Sequence, residues 1–476
     1  MKNVTQASLK YTTNRRKLKR NFARNFRGTT LSKTFHSLQY PNYRLWFISN
    51  FFSASAMWVQ RVCQIWIVLT ILTDNSAIAV GIVTALQFAP QIVLGPLGGV
   101  LADRGNRRQV IQAGQIVIAM LSLILGALVV TGTAQLWHVY LLAFIAGTSD
   151  ALTSATRNTF VSELVPSSAL PNAISLNSTA FNIARLIGPA AAGVMIDWFG
   201  AGWVLIADFV IFFVPVLTLI LMRRENFFPF SAVARHKGMV REGFSYIKTR
   251  SDILGILILV GVISGLGFNF QMTQALMATQ VFNRSAGDYG LLGSALAIGS
   301  LSGALIAARR AAPRFSYILF AGFTFGFMSI GAAFALNYWV FALLMIPCGF
   351  LMLTFLIGCN TLIQTSVPPE LRGRALAIYF AINLGSTPLG AILVGWVGEN
   401  FGARWSLAIG GIAALIVSLV VFVWTKSHWD VELHRARHWP FVSINGPRER
   451  AHLSEQENAD LTAQRARRGD EHATEA

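Results

Sequence analysis

The sequence predicts an all-α membrane protein with twelve transmembrane helices in two pseudo-symmetric six-helix bundles. Three observations predict it: an apolar composition, a ladder of long apolar runs, and an internal repeat. The 476 residues are 54% hydrophobic and only 13% charged, outside the usual mix of soluble chains. Apolar runs of roughly 20 residues or more recur along the chain, each long enough to cross the hydrocarbon core as a helix. They fall at residues 43–72, 77–101, 108–131, 137–163, 172–198, 200–222, 253–281, 287–308, 315–335, 338–364, 373–399 and 403–425.

The repeat emerges when the chain is shifted on itself by 202 positions. NTFVSELVP (Asn158 to Pro166) then falls on NTLIQTSVP (Asn360 to Pro368), and FGAGW (Phe199 to Trp203) falls on FGARW (Phe401 to Trp405). Between them Ala173 meets Ala375, Gly188 meets Gly390 and Gly193 meets Gly395. Two bundles follow, at 43–222 and 253–425, joined by a basic linker at 223–252 and flanked by tails at 1–42 and 426–476. A parallel repeat of this kind is an architecture of secondary transporters, which hold a substrate near the membrane midplane between halves that rock.

The formal charge of +18 is sided. The N-terminal side collects the bases from Lys2 to Lys33, then Arg104, Arg107 and Arg108, the linker bases from Arg223 to Arg250, and Arg309, Arg310, Arg314, Arg372 and Arg374. The opposite side has Arg284 and Arg404. This asymmetry is the positive-inside pattern, which places both termini and the linker in the cytoplasm and leaves nucleic acid unnecessary as an explanation of the charge. The first 42 residues lack the short apolar core of a signal peptide and read as a basic topogenic tail, suited also to resting on anionic lipid. Residues 440–476, rich in charged and small residues, read as disordered. Cys63, Cys348 and Cys359 lie inside apolar runs without metal spacing and read as packing residues.

Between the second and third runs stands GGVLADRGNRRQV, Gly98 to Val110, a charged knot in an oily chain. It resembles the motif G-x-x-x-D-R-x-G-R-R/K of the major facilitator superfamily, with Gly99, Asp103, Arg104, Arg107 and Arg108 filling its places and Asn106 preceding the final basic pair. The resemblance implies a cytoplasmic gate. Gly99 would let the second helix approach the eleventh, and Asp103 would accept hydrogen bonds from amides near Gly373 and Arg374. A carboxylate is favoured there by the free amides and the helix dipole. An ordinary topogenic loop is the alternative reading of the arginines, although topology alone has no use for Asp103. The equivalent stretch of the second half, Gly303 to Arg310, carries no acid.

Two further stretches, Trp58 to Leu72 and Ser149 to Gly193, resemble the branch of that superfamily that contains enterobactin exporters and macrolide-efflux proteins, the transmembrane secretion effectors. The likeness covers most of residues 40–425 and is closer in the first half. It implies a bacterial inner-membrane exporter of small organic molecules, siderophore- or drug-like, driven by proton antiport, monomeric and without a cofactor. One departure stands out. The antiporter motif G-x-x-x-G-P-x-x-G-G is met here by Ala184, Gly188, Pro189 and a single Gly193.

Ionisable residues at lipid depth are costly and are kept for a partner, a pathway or a substrate. Five stand out: Arg61 in the first helix, Asp150 and Arg157 in the fourth, Arg185 in the fifth and Asp208 in the sixth. All five fall in the first half. Asp150 and Arg157 share a helix face about 10 Å apart, and Ser178, Asn182 and Arg185 form a second stripe, as do Ser53, Met57, Gln60 and Gln64. The second half offers amides instead, Gln271 and Gln274, Asn360 and Gln364, among Phe268, Phe270, Phe350 and Phe355. Charge and proton handling is therefore expected in the first half, with an amide-and-aromatic wall in the second; helix packing explains the same amides and rings. For the proton-carrying carboxylate, Asp150 ranks first and Asp208 second, the alternative being that Asp150 pins helices in a permanent ion pair. Three arginines against two aspartates hint at an anionic substrate.

Other classes fit less well. A membrane enzyme needs a nucleophile with its base, or a metal cluster, at depth, and His138 stands at a segment end. A transporter-like sensor needs a substantial soluble domain. A lysophospholipid or lipid exporter of the same fold stays open, as does import.

Overall fold

The computed structural model describes residues 35–228, 246–247, 250–308, 314–428, 433–435 and 442–444. In chain order the first half has α1 (Pro41–Ile67, continued as a π-helical turn at Val68–Leu72), α2 (Ala77–Arg104), α3 (Arg107–Val130), α4 (Leu136–Leu164), α5 (Leu170–Phe199) and α6 (Ala201–Leu221). The second half has α7, whose pieces are Ser251–Val262, Ile263–Gly267, Phe270–Leu276 and Met277–Val281, then α8 (Ala286–Ala308), α9 (Phe315–Ala333), α10 (Tyr338–Ser366), α11 (Pro369–Phe401) and α12 (Ala403–His428). Eleven of these twelve bodies are long and apolar enough to cross a membrane. The exception is α4, whose length suffices but which carries Asp150, Arg157 and Glu163 among hydroxyls.

The helix ends follow local chemistry. Asn106 and Asn337 cap α3 and α10, their side-chain oxygens accepting the Gln109 and Val340 amides at 3.4 and 3.0 Å. Gly200 and Gly402, at φ of 79° and 93°, end α5 and α11 in a backbone region open to glycine, and the chain turns at once into α6 and α12. These two glycines are equivalent in the repeat, so the halves share a corner as well as letters. The α7 run is broken where the sequence predicts one helix over 253–281. Gly265, Gly267 and Asn269 explain the break, because the Asn269 side-chain amide donates to the Gly265 carbonyl at 2.5 Å and takes the place of a backbone partner.

Internal packing repeats too. In unit 1, α1 lies against α5 and α6, and α3 against α4 and α6; in unit 2, α7 lies against α11 and α12, and α9 against α10 and α12. Small residues set the closest approaches. A Cβ on Gly126 would stand 2.8 Å from the Gly202 carbonyl, and one on Gly326 2.7 Å from the Gly411 carbonyl. With hydrocarbon outside, helices gain by such close contact and not by escaping water.

The compact units are Met1–Ile67 with Val93–Ala234, and Val68–Ile92 with Arg235–Ala476, as far as these residues are described. The sequence division into 43–222 and 253–425 differs at 68–92, which packs in unit 2. The start of α2 is fastened there: the Glu399 carboxylate accepts from the Ser76 hydroxyl at 3.0 Å and the Ile78 amide at 3.2 Å. Gly81 and Gly395 add a close seam, since a Cβ on Gly81 would lie 2.6 Å from the Ala391 carbonyl.

The basic head at 1–34 and most of the linker and C-terminal tail lie outside the described residues. At the head's end, His36–Gln39 forms a 3-10 turn, with the Ser37 amide donating to the Asn172 side chain at 2.9 Å. Within the tail read as disordered from 440, Val442–Ile444 instead forms β2, paired antiparallel with β1 at Leu433–Arg435. A β-branched pair, Val442 and Ile444, favours that extended state. Cys63, Cys348 and Cys359 are buried and unbridged.

Gly349 and Gly331 provide a contrast. A Cβ on Gly349 would run into the Leu296 carbonyl of α8, whereas one on Gly331 meets nothing within 4 Å. Gly349→Ala is expected to lower stability in detergent by roughly 2 kcal/mol, and Gly331→Ala to leave it unchanged or raise it by up to about 1 kcal/mol. Melting curves of the purified variants check both.

Candidate functional site

Four of the five lipid-depth charges come together in unit 1 around Arg61, two of them over Trp58. The seam between α1 and α5 admits this indole because residue 188 is glycine; a Cβ there would lie 2.8 Å from the Trp58 Cβ. The guanidinium carbons of Arg61 and Arg185 stand 5.6 and 5.8 Å from the indole ring centre, and Phe181 packs at 6.2 Å. Cation–π contact offers each about 0.5–2 kcal/mol. On α4, Arg157 forms an ion pair with Asp150, and Arg61 lies within electrostatic reach of Asp150, Arg157 and Arg185. All four charged side chains are half-buried. Three guanidiniums thus share a neighbourhood with one carboxylate, and Arg185 has the indole in place of an acid.

Asp208 is elsewhere. It is 0% exposed in the seam of α6 with α1 and α3, and its only described donor is the Ser122 hydroxyl at 3.0 Å. Its other carboxyl oxygen has no hydrogen-bond partner. The Cys63 thiol lies within electrostatic reach. The fifth ionisable residue therefore sits buried between α6, α1 and α3, beside the Ser122 hydroxyl and the Cys63 thiol.

The expected cavity amides are placed as follows. Gln60 and Gln64 are buried in α1, and Asn182, half-buried on α5, donates to the Ser178 carbonyl at 2.8 Å. In unit 2, Gln274 is buried and donates to the Leu292 carbonyl at 3.2 Å, which ties α7 to α8. Gln271 is half-buried, and the Asn360 side chain accepts from Gln364 one turn on. Phe268 stacks edge-on to Phe325 and Phe355 at 5.3 and 6.2 Å. Phe270 and Phe355 are buried core. Of this wall, Gln271 and Asn360 keep exposed surface, whereas Gln274 is spent on packing.

The GGVLADRGNRRQV knot is held from inside unit 1. Arg107, 8% exposed, donates to the Ala102 carbonyl at 2.8 Å and pairs with Glu163 at the end of α4 at 2.6 Å. Arg108 donates to the carbonyls of Ile220 and Met222 at 2.8 and 3.1 Å and so satisfies the open end of α6. Arg104 closes α2, and Asp103 is exposed beside it. Gly98 packs on α4 at Ala151, Gly99 is buried, and a Cβ on Gly373 would meet nothing within 4 Å. Sequence reasoning missed Glu163, Trp58 and Ser122 as working partners. The repeat offers a clue only for Glu163: its equivalent is Thr365, so the acid is peculiar to the half that carries the knot.

Long apolar helices in repeated packing, with a half-buried charge cluster among them, fit a multi-pass membrane transporter of the major facilitator type. Solved structures agree: a bacterial homologue of the human lysosomal transporter Spinster, inward-facing and unoccupied, matches with a TM-score of 0.60 at 16% identity, over 84% of this chain and 98% of that one. The D-xylose–proton symporter matches at 0.57 and 15%, over 83% and 98%. More narrowly, the chain belongs to the transmembrane secretion effector family, whose profile matches residues 32–449. Among relatives, the staphyloferrin A transporter of Staphylococcus aureus (strain NCTC 8325 / PS 47) is 23% identical, over 83% of this chain and 99% of its own length. The enterobactin exporter EntS of Salmonella typhi is 25% identical, over 86% and 96%. These are transporters, not enzymes.

Removing one member of a buried ion pair strands the other. Glu163→Gln is expected to cost about 2 kcal/mol, discounted from the fully buried case because Glu163 is 26% exposed. Combined with Arg107→Ala, the loss should fall short of the sum of the single losses. A double-mutant cycle on thermal stability in detergent reads this; strict additivity would deny the coupling.

Proposed function

We propose that this protein exports a small anionic organic molecule, siderophore- or drug-like, across the bacterial cytoplasmic membrane by alternating access with proton antiport. Both termini lie in the cytoplasm, as the sided basic loops support. The observation that carries the substrate class is the Trp58 cluster. Three guanidiniums and one carboxylate leave a surplus of positive charge at lipid depth, and an unbalanced charge there is costly. An anion carried by the substrate supplies the balance, and arginines flanking an indole suit a planar, aromatic or carboxylate-bearing ligand. Kinship with transporters named for staphyloferrin A and enterobactin supports the siderophore class.

The two carboxylates take different parts in this reading. Asp150 has a guanidinium partner, so its anion is accommodated and it holds Arg157 in place. Asp208 has one hydroxyl donor and apolar walls, surroundings that accommodate a neutral acid. A carrier must exist in both forms during the cycle, so Asp208 is proposed as the proton site, ahead of Asp150. The Asp103 knot acts as the cytoplasmic gate, its carboxylate meeting the α11 amides near Gly373 and Arg374 when that face is shut.

Export measured in inverted vesicles, with enterobactin and staphyloferrin A as trial substrates, tests both parts. Arg185→Gln is expected to weaken apparent affinity for an anionic substrate about tenfold, the worth of a charge-assisted hydrogen bond. Equal transport of a fully esterified analogue would refute the anionic reading. Asp208→Asn should abolish the response of export to an imposed pH gradient while Asp150→Asn retains it. The opposite pattern would transfer the proton role to Asp150.

A further inference from the structure

Unit 1 contains a cavity of about 750 Å³ apart from the charge cluster and bordering the knot, which lends it Arg108. It opens at the basic end, between the first turn of α3, the last turn of α4 and the segment that follows α6. Its polar lining includes Arg108, Gln109, Gln112, Glu163 and Arg224, and its aromatic lining is Phe160, Phe227 and Phe228. The segment after α6 is pinned across the bundle end. Asn42 exchanges hydrogen bonds with the Arg223 backbone at 2.9 and 3.1 Å, and the Phe228 amide donates to the Glu163 carbonyl at 2.8 Å. Phe227 lies 5.9 Å from Phe160, and Phe228 stands edge-on to Tyr40 at 5.7 Å. The cavity wall is therefore a built part of the fold.

Its charge is unbalanced. Glu163 is already paired with Arg107, and among the described lining residues no other acid faces Arg108 and Arg224. Among the described residues the Arg108 guanidinium donates to carbonyls alone, and Arg224 is exposed with no described hydrogen bond or ion pair. One side is also oily. One turn along α3 from Gln112 begins a row of exposed apolar residues, Ile116, Val117 and Met120, at 49, 37 and 43%. On α6 the row is Leu217, Ile220 and Leu221, at 54, 56 and 56%. Arg108 joins the two features, because the carbonyl it holds belongs to exposed Ile220.

We infer that this cavity binds the phosphate headgroup of an anionic phospholipid of the leaflet on the basic side, Arg108 and Arg224 holding the phosphate while the acyl chains run along the outer faces of α3 and α6. A soluble phosphate ester shares the headgroup chemistry, but it has no use for the apolar rows. The two sources are separable by displacement. A bound lipid fixes the α3–α4–α6 end at headgroup depth and so steadies the loop that carries the gate residues.

Native mass spectrometry of the full chain, released from detergent after mixing with phosphatidylglycerol or phosphatidylcholine of identical chains, reads the site directly. Phosphatidylglycerol is expected to be retained in preference. Arg224→Gln should cut that retention about fivefold, the worth of one basic residue at an anionic surface, and Arg224→Lys should restore most of it. Gln112→Glu, which places a new carboxylate in the cavity, should cut it by a similar factor and provides a second handle should Arg224→Gln elute as aggregate. Millimolar glycerol 3-phosphate should not displace the lipid. Equal retention of both lipids, or full retention by both variants, overturns the inference. Ready displacement by glycerol 3-phosphate overturns the lipid assignment in favour of a soluble phosphate ester. A transport defect plays no part in this readout, so failure of the export reading leaves it standing.

Discussion

Hydrocarbon offers a charge nothing, and that constraint shapes every polar feature of this protein. A guanidinium or carboxylate at lipid depth must find its partner inside the fold or lose its place there. Arg157 finds Asp150, and Arg61 and Arg185 find the face of Trp58. Asp208 finds one serine hydroxyl. The same rule acts at the helix ends, where Arg108 covers the carbonyls that α6 leaves open and Glu399 covers the donors at the start of α2. The apolar framework between these points is nearly uniform, so the polar exceptions mark where the protein does something other than span.

Glycine supplies the other half of the design. Without a hydrophobic gain from leaving water, the helices hold together by contact, and contact needs small residues. Gly188 shows how packing becomes chemistry: the space left by its missing side chain seats Trp58, and Trp58 in turn seats two arginines. The glycine that seats the ring is one that the antiporter motif keeps, not one of the positions where this stretch departs from it. The repeat-equivalent Gly390 serves a different end, since it lets α11 close on the broken backbone of α7 at Gly265.

The halves have diverged where charge is concerned while keeping their frame. Gly200 and Gly402 turn the chain at equivalent corners, and the Gly126–Gly202 contact has its counterpart in Gly326–Gly411. The second half has no acid in place of Glu163 and no charge in place of Asp150, and its Gln274 is consumed in a backbone contact. Such a division suits a transporter in which one half carries the electrostatic work and the other shapes the space.

The amino-acid order by itself determined the helical runs, the repeat, the sidedness of charge and the family, because hydrophobic length and charge bias act locally and leave their mark on any stretch of chain. It also identified the five costly ionisable residues, since their expense is set by depth alone. Which of them meet was decided by tertiary structure: Arg61, Asp150, Arg157 and Arg185 come from three helices, and their grouping about Arg61, with Trp58 under two of them, depends on how α1, α4 and α5 pack. Asp208 carries the same side chain as Asp150, yet it ends fully buried beside a serine hydroxyl. The break in α7, the attachment of residues 68–92 to the second unit, and the Arg107–Glu163 pair were hidden for the same reason. Each is a contact between residues far apart in sequence, and no local pattern records which distant carbonyl or carboxylate will complete it.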